Sequence, residues 1–399
     1  MRNRKGEIDD KRRNRRRWIG VCGMIGLITG CGQGMLLKGT TPPPAVSIPP
    51  VAVTARVIYT SNQDGPWDIY SVTADGRRTE RLTSTPAEEE GLMPSPDGTK
   101  IAFVSRRDGD YEIYVMNTDG TAPVRLTYAR GIDEGPVWSP DSRRIAFESN
   151  RDGNWELYRI DADGSGERRL TGTPEEEANP VWSPDGRRIA YESRRDGAWE
   201  IYSMNADGTH PINLTRSHAD ERCPAWSPDG KQLLFVSNRT GPWELYRMAA
   251  DGSGAVRLTR SRGDETDPAW SPDGTRIAYA VDQSGRREIH VMDADGRHEK
   301  RLMARVPDEA KPVWSPDGRR VLFVGYQLDS PELFVADADG SNVTPVTAVA
   351  GQKADPQWLI NEAGRPANTV SERGRLHPAR PVEGATRAPI NRSREASRT

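Results

Sequence analysis

A 44-residue unit repeats along most of the chain, and this period limits the possible folds more than any other feature. One column of the repeat is a proline between a serine and an aspartate, at Pro96, Pro140, Pro184, Pro228, Pro272 and Pro316. A second column is an aspartate followed by a glycine, at Asp75, Asp119, Asp163, Asp207, Asp251, Asp295 and Asp339. Periods of ~40–45 residues with several short strands are typical of β-propeller blades. The period therefore predicts an all-β protein.

Each copy of the repeat contains four segments with the composition of short strands. In one copy these segments are residues 179–182, 188–192, 199–204 and 211–215. Aromatic and β-branched residues between turn signals favour strands over helices. Four strands in each copy match the four-stranded blade of a propeller.

The turn between the first and second strands has a defined chemistry. In Ser183-Pro184-Asp185-Gly186, proline fixes the φ angle that a type I turn requires, and glycine accepts the left-handed conformation that follows it. Ser142 stands at the glycine position in another copy. We therefore expect mild backbone strain at Ser142.

The two ends of the repeat array complement each other. The first copy begins at a second strand, residues 56–59, and the array ends with an additional first strand, residues 355–358. Pairing of these strands would complete the first blade and remove a free sheet edge. We therefore predict a seven-bladed β-propeller of four-stranded blades over residues 52–360, closed by strands from both termini.

The segment before the propeller has the pattern of a bacterial lipoprotein signal. Residues 1–30 join a basic run to an apolar stretch that is too short to span a membrane. Residues 28–31 (Ile-Thr-Gly-Cys) resemble a lipobox, in which the cysteine becomes the lipidated N-terminus. We predict a signal peptide over residues 1–30, lipidation of Cys31 and a Pro/Gly/Thr-rich tether over residues 31–51. An uncleaved anchor and a soluble secreted protein are the alternatives.

Charge is distributed unevenly along the chain. Residues 1–30 hold nine Lys/Arg against three Asp/Glu, and residues 361–399 hold eight Arg against four Glu. The part between them carries a net charge of −12. Binding to nucleic acid requires a basic footprint, so the acidic body argues against it. The tail over residues 361–399 is rich in Arg, Pro and Ser and is expected to be disordered.

The recurring motifs resemble those of a known family. Trp-Ser-Pro-Asp-Gly is followed by Ile-Ala-Phe/Tyr, Arg-Asp-Gly, Glu-Ile/Leu-Tyr and Arg-Leu-Thr, with the first three at residues 182–186, 189–191 and 195–197. This run is similar to the TolB-type propeller repeat, and the similarity covers the whole repeated region. The resemblance implies a domain of the bacterial envelope that binds an envelope protein or a lipoprotein. Similar propellers also cap prolyl-oligopeptidase-type peptidases.

The chain departs from the TolB pattern in three respects. Members of that family have six blades, whereas the spacing here predicts seven. They carry an N-terminal α/β domain, whereas a short segment separates Cys31 from the first predicted strand. They are soluble periplasmic proteins, whereas the leader here predicts a lipid anchor. We therefore expect a relative of the TolB propeller in an extracytoplasmic location, either the periplasm or the cell surface.

Two charged columns lie at the end of the predicted ring that carries the longer connections, where rigid scaffolds usually place their binding residues. The acidic column comprises Glu89, Asp133, Glu177, Glu221, Glu265 and Glu309, with Lys353 in its seventh place. The basic column comprises Arg107, Arg151, Arg195 and Arg239. These columns predict either a charged rim at the channel mouth or ion pairs between neighbouring connections. The first alternative makes the acidic column a candidate surface for a protein partner.

The basic column is interrupted in three copies. Gln63, Gln283 and Gln327 replace arginine in copies one, six and seven, which are adjacent in a closed ring, and Lys353 falls in the same arc. A single partner requires a feature that is not repeated around the ring. We therefore predict that Gln63, Gln283, Gln327 and Lys353 contact a partner. Relaxed sequence drift at the closure seam is the alternative.

Two aromatic columns have different predicted roles. Large rings fill the wedge-shaped gaps between blades, which is the role predicted for Trp138, Trp182, Trp226, Trp270, Trp314 and Trp358. A second column lies beside the turns, at Trp67, Tyr111, Trp155, Trp199 and Trp243. These residues either pack in place or stack on the sugar rings of a cell-wall glycan.

The sequence contains no Gly-x-Ser-x-Gly nucleophile elbow, and its five histidines lack metal-ligand spacing. We therefore expect a non-catalytic monomer without cofactor or metal, which serves as a lipid-anchored, protein-binding scaffold in the cell envelope. One alternative is a propeller that binds glycan or the cell wall. The other is a propeller enzyme, a hydrolase or a lyase, with a site in the channel.

Overall fold

The computed structural model describes residues 55–302, 308–327, 330–347 and 351–359. Within these residues, 28 strands form seven four-stranded antiparallel sheets, which are the blades of a propeller. The described ranges contain no helix, and so none that is long and apolar enough to cross a membrane. The predicted signal peptide (1–30), the lipidation site Cys31, the tether (31–51) and the tail (361–399) lie outside the described residues.

The blades are numbered in chain order, and each is given by its strands. Blade 1 contains β1 (Arg56–Ser61), β2 (Asp68–Thr73) and β3 (Thr79–Arg81). Blade 2 contains β4 (Glu89–Pro94), β5 (Lys100–Ser105), β6 (Glu112–Asn117) and β7 (Val124–Arg125). Blade 3 contains β8 (Asp133–Trp138), β9 (Arg144–Ser149), β10 (Glu156–Asp161) and β11 (Arg168–Arg169). Blade 4 contains β12 (Glu177–Trp182), β13 (Arg188–Asp196), β14 (Ala198–Asn205) and β15 (Ile212–Asn213).

The remaining blades follow the same order. Blade 5 contains β16 (Glu221–Trp226), β17 (Gln232–Ser237), β18 (Glu244–Ala249) and β19 (Val256–Arg257). Blade 6 contains β20 (Asp264–Trp270), β21 (Arg276–Asp282), β22 (Arg287–Asp293) and β23 (Lys300–Arg301). Blade 7 contains β24 (Glu309–Trp314), β25 (Arg320–Gln327), β26 (Ser330–Asp337) and β27 (Thr344–Pro345). The last strand, β28 (Lys353–Leu359), belongs to blade 1.

Strands from both ends of the array close the ring, as predicted. β28 pairs with β1, and the register joins Leu359 to Arg56 and Trp358 to Val57. The first strands of all neighbouring blades contact one another, including β28 with β4 and β24 with β28. The first strands therefore form the inner ring, and the fourth strands form the outer edge.

The position of each strand in the blade follows from its composition. Second strands such as β5 are apolar and buried over nearly their whole length, because other strands cover both of their edges and blades cover both of their faces. The outermost strands are short and carry exposed residues, which limits pairing with other chains. β15 is shorter than the predicted segment 211–215, because the Thr215 hydroxyl accepts the bond from Ile201 N at 3.0 Å in place of a backbone carbonyl.

The Ser-Pro-Asp-Gly turns adopt the predicted geometry. Gly186 has a φ of 68°, and its N–H donates to the Ser183 carbonyl at 2.8 Å. The Asp185 carboxylate accepts from the Ser183 hydroxyl at 2.6 Å and from Arg187 N at 3.0 Å. Ser142 has a φ of 59°, the left-handed conformation that was expected to strain this position.

The tryptophan column packs between blades, as predicted. Each indole N–H donates to a backbone carbonyl in the first strand of the preceding blade, for example from Trp182 to Val137 at 3.1 Å. The same bond joins Trp358 to Val313 at 3.2 Å across the closure. These bonds satisfy the polar end of a side chain whose rings are otherwise buried. The tryptophans therefore fix the distance between neighbouring inner strands.

Candidate functional site

One end of the propeller carries two kinds of connection, and we call it the loop end. Pairing of Glu89 with Ser105, and of Ser105 with Glu112, places the start of the first strand level with the turn between the second and third strands. The loop end therefore comprises those turns and the connections that lead into each first strand. The Ser-Pro-Asp-Gly turns form the opposite end.

The acidic column lies inside the blades, so the predicted charged rim at the channel mouth is wrong. All six carboxylate side chains are buried. Four of them receive the guanidinium of their own blade, from Arg107 to Glu89, Arg151 to Asp133, Arg195 to Glu177 and Arg239 to Glu221, at 2.7–3.0 Å. The predicted ion pairs thus form within blades and not between neighbouring connections. These carboxylates are buried, and their contact with a partner stays a prediction.

Each of these arginines also packs on an aromatic pair. The Arg107 guanidinium lies 4.7 Å from the centroid of Tyr114, which stacks on Phe103. Its Nε donates to the Ser105 hydroxyl at 3.0 Å. The Arg-Asp-Gly turn is therefore held against the blade by an ion pair, a hydrogen bond and a cation–π contact.

Blades 6 and 7 keep the glutamate and lose the arginine. Burial raises the pKa of Glu265 to about 7, and it raises the pKa of Glu309 to about 7. In blade 6 the replacement, Gln283, is exposed at the surface. Gln327 ends β25, and Gln63 is half-buried beside Ser61, whose hydroxyl accepts from Gln63 N at 3.2 Å. The predicted role of the three glutamines in partner binding stays a prediction.

Lys353 has a structural partner in the neighbouring blade. It is 2% exposed, and its Nζ donates to Glu332 Oε1 at 3.0 Å. The equivalent glutamate in blade 3, Glu156, pairs with Arg169 of its own fourth strand at 2.8 Å. Blade 7 has Pro345 at that position, so Lys353 of blade 1 supplies the missing cation. Its contact with a partner stays a prediction, and because Lys353 is buried, such a contact would be indirect.

Seven bulged residues, which no sequence motif revealed, lie one on each first strand and so around the inner ring of the propeller. Each first strand has a register shift, and the residue at the shift has a positive φ of 49–67°. We call these residues the bulge ring: Gly91, Gly135, Asn179, Cys223, Asp267, Lys311 and Asp355. They share a backbone conformation and not a side-chain type, so no motif marks them. The 44-residue spacing and a proline after six of the seven were the available signals.

Charged members of the bulge ring are confined to blades 6, 7 and 1. Lys311 Nζ donates to Asp355 Oδ1 at 2.8 Å, across the contact between β24 and β28. Burial lowers the pKa of Lys311, but the Asp355 carboxylate outweighs it, so the pKa lies above its usual range. Burial raises the pKa of Asp267 to about 6, against the opposing effect of Lys311 and Arg287. We call Asp267, Lys311 and Asp355 the bulge cluster.

Carboxylates of blades 3 and 4 accept hydrogen bonds from the bulge residues of the next blade. Glu192 accepts from Cys223 N at 2.7 Å through one oxygen and from Arg222 at 2.7 Å through the other. The Arg222 guanidinium lies 4.1 Å from the Trp199 ring centroid. Glu148 accepts from Asn179 N at 2.8 Å. These carboxylates stabilise the strained bulges of blades 4 and 5.

The loop-end surface exposes an aromatic residue that the sequence analysis did not single out. Tyr128 is 72% exposed in the connection between blades 2 and 3, and its ring lies 4.6 Å from the Arg125 guanidinium. The aromatic column considered for sugar stacking is less accessible. Tyr111 is buried, and Trp67, Trp155, Trp199 and Trp243 are half-buried. Among the residues that the structure describes, no group of His, Cys, Asp or Glu has the geometry of a metal site.

Two family models match the propeller. A model described as the Tricorn protease N-terminal β-propeller domain matches residues 49–156. A model of the TolB β-propeller domain matches residues 173–266 and 258–365. No curated protein matches the chain.

Solved structures of TolB proteins and of a lyase share the fold. The protein assigned as TolB in Agrobacterium tumefaciens is 25% identical with a TM-score of 0.51, covering 66% of this chain and 96% of its own. TolB from Acinetobacter baumannii is 22% identical with a TM-score of 0.52, covering 76% and 82%. Oligogalacturonate lyase from Vibrio parahaemolyticus is 16% identical with a TM-score of 0.55, covering 74% and 85%. The last two likenesses show the fold alone.

Proposed function

Since the chain belongs to the TolB-like β-propeller repeat proteins, we propose that it is a non-catalytic scaffold of the bacterial cell envelope, anchored through Cys31, that binds another protein at its loop end. Membership of this family supports an extracytoplasmic location. The lipid anchor rests on the leader sequence, in which a basic run, a short apolar stretch and Cys31 coincide.

The exposed Tyr128 is the observation that carries the protein-binding role. Tyrosine and arginine are the residue types that dominate binding energy in protein interfaces. Tyr128 stands at the loop end with its hydroxyl donating to the Arg125 carbonyl at 3.1 Å, so its ring is held in one orientation before binding. An anchor that is already ordered loses less side-chain entropy when it binds.

A second aromatic–arginine pair lies in the connection between β5 and β6 of blade 2. Arg106 lies 5.4 Å from the Tyr111 ring centroid and 3.6 Å from the Glu88 carboxylate. Tyr111 also donates to Glu88 at 3.2 Å. This pair belongs to the same end of blade 2 as the connection that carries Tyr128, so the two pairs support a single binding surface.

Photocrosslinking in cells tests the proposed surface. A photoreactive phenylalanine at position 128 is expected to capture a protein partner, because the side chain at this position is 72% exposed. The same residue at Ala255, which is exposed near the opposite end, serves as the matched control. Equal capture from positions 128 and 255, or capture from neither, would contradict a partner site at the loop end.

A lyase with a site in the channel is the second candidate, an alternative that the sequence left open, and the lyase that shares the fold supplies the substrate for its test. Incubation of the purified chain with oligogalacturonate, followed by chromatography, decides between the two functions. The scaffold role predicts that the oligomer length is unchanged. New short products in the presence of the chain would favour the lyase.

A further inference from the structure

We propose that the bulge cluster of Asp267, Lys311 and Asp355 is a subsite for one organic cation, an ammonium or a guanidinium group. The proposal deepens the proposed binding function, and it rests on that function for the expectation that a lysine or arginine of a partner protein supplies the cation. The first argument is asymmetry. Gly91, Gly135, Asn179 and Cys223 are the other members of the bulge ring, so charge at the bulge positions is confined to one arc.

The second argument is the balance of charges around the cluster. Lys311 pairs with Asp355 at 2.8 Å, and Arg287 pairs with Asp308 at 2.8 Å. Asp267 makes no ion pair with any residue that the structure describes, although Lys311 and Arg287 lie near enough to influence it. These five groups therefore carry one negative charge in excess, which one cation would neutralise.

The third argument is unused hydrogen-bonding capacity. Asp355 is 6% exposed, and its Oδ2 is buried without a donor among the described residues, while its Oδ1 is held by Lys311. Asp267 Oδ1 is in the same state. Buried carboxylate oxygens normally have donors, so these two, one on each of the aspartates that flank Lys311 in the bulge ring, can each accept a bond from an added N–H group.

The site is partly exposed and is suited to an organic group. Asp267 is half-buried and the Lys311 side chain is 18% exposed, whereas the two oxygens that lack donors are themselves buried. The described side chains offer no cluster of ligands fit for a metal ion. Ammonium and guanidinium groups donate several directed hydrogen bonds and need only one or two carboxylates.

Ligand-observed NMR on the full mature chain provides the test. The probes are N-acetyl-lysine methylamide, n-butylammonium and the neutral N-acetyl-norleucine methylamide. Both cations are expected to bind with dissociation constants in the millimolar range, and the neutral probe at least about tenfold more weakly. Absence of binding by both cations, or equal binding of the neutral probe, would overturn the proposal. Tighter binding of the lysine amide than of n-butylammonium assigns the cation to a polypeptide, and equal binding assigns it to a free amine.

Three variants make the test specific. Asp267→Asn is expected to weaken cation binding about tenfold, whereas Glu175→Gln, which removes an exposed carboxylate elsewhere at the loop end, leaves it unchanged. Lys311→Ala removes the internal competitor and is expected to strengthen binding of n-butylammonium severalfold, a gain that misfolding cannot produce. Unchanged binding in both Asp267→Asn and Lys311→Ala would show that the bulge cluster does not bind the cation. Crosslinking from position 128 reports separately on the proposed function and is retained even if the subsite fails.

Discussion

At the scale of single residues, the same position of the repeat has different chemistry in different blades. Glu177 is held by Arg195, whereas Glu265 occupies the equivalent place in a blade whose arginine is replaced by Gln283. Thr259 donates to Glu265 Oε2 at 2.9 Å, but Oε1 is buried without a partner among the described residues. Burial raises the pKa of both glutamates, but the Arg195 guanidinium opposes this shift in blade 4, whereas blade 6 lacks the equivalent arginine.

Replacement of Glu265 by glutamine is expected to stabilise the propeller at about pH 8 and to have little effect at about pH 5. Burial raises the pKa of Glu265 to about 7, from a usual value of 4.5. A carboxyl group whose pKa is higher in the folded state than in the unfolded state stabilises the fold below its unfolded-state pKa. This stabilisation is lost as the pH rises through the folded-state pKa. Urea denaturation at about pH 8 should show that Glu265→Gln raises the free energy of unfolding by about 1–3 kcal/mol.

The matched control is Glu177→Gln, which leaves the partly buried Arg195 without its carboxylate. This variant is expected to lower the free energy of unfolding at about pH 8. Stabilisation by Glu177→Gln, or a pH-independent effect of Glu265→Gln, would contradict the different roles assigned to the two glutamates.

The sequence located the charged columns but not their environment. Spacing identifies equivalent positions, whereas the direction of each side chain depends on pairing between strands and packing between blades. The acidic column was thus correctly aligned and wrongly placed on the surface. The bulge ring was missed for the opposite reason, because Gly135, Cys223 and Lys311 share a φ angle and no side-chain chemistry.

At the scale of strands, most of the fold was predictable. The four-strand unit, the turn geometry and the closure by strands from both ends all follow from periodicity and turn residues. Strand ends were less predictable. β15 is short because the Thr215 hydroxyl, and not a backbone carbonyl, accepts the hydrogen bond from Ile201 N. Competition between a hydroxyl and a backbone carbonyl leaves little trace in a sequence.

Removal of the closing strand should destabilise the whole ring. Deletion of residues 353–399 leaves the inner edge of β1 unpaired and removes the carboxylate of Asp355 from Lys311 and the amine of Lys353 from Glu332. The free energy of unfolding is expected to fall by more than about 4 kcal/mol, beyond the range of most single substitutions. Thermal unfolding followed by circular dichroism should become broader as well as lower in midpoint.

Deletion of residues 366–399 alone is the control, since every described strand remains in place. This shorter deletion is expected to leave the melting curve unchanged. If the two truncations melt alike, the pairing of β28 with β1 does not close the ring in solution.

At the scale of the whole molecule, the closure brings the two ends of the described chain together. Arg56 pairs with Leu359 at the end that carries the Ser-Pro-Asp-Gly turns, away from the loop end. A tether that enters at this point would leave the loop end directed away from the membrane. This arrangement is consistent with an anchored scaffold that presents Tyr128 to a partner.

Metabolic labelling with a clickable fatty acid tests the anchor on which this orientation depends. The chain is expected to be labelled and to sediment with membranes, because residues 28–31 resemble a lipobox and follow a basic and then an apolar segment. Cys31→Ala is expected to lose the label, while Cys223→Ala, which alters a buried residue of the bulge ring, retains it. Label that persists in Cys31→Ala would show that Cys31 is not the site of acylation. The orientation of the loop end, which was inferred from an anchor at Cys31, would then be wrong.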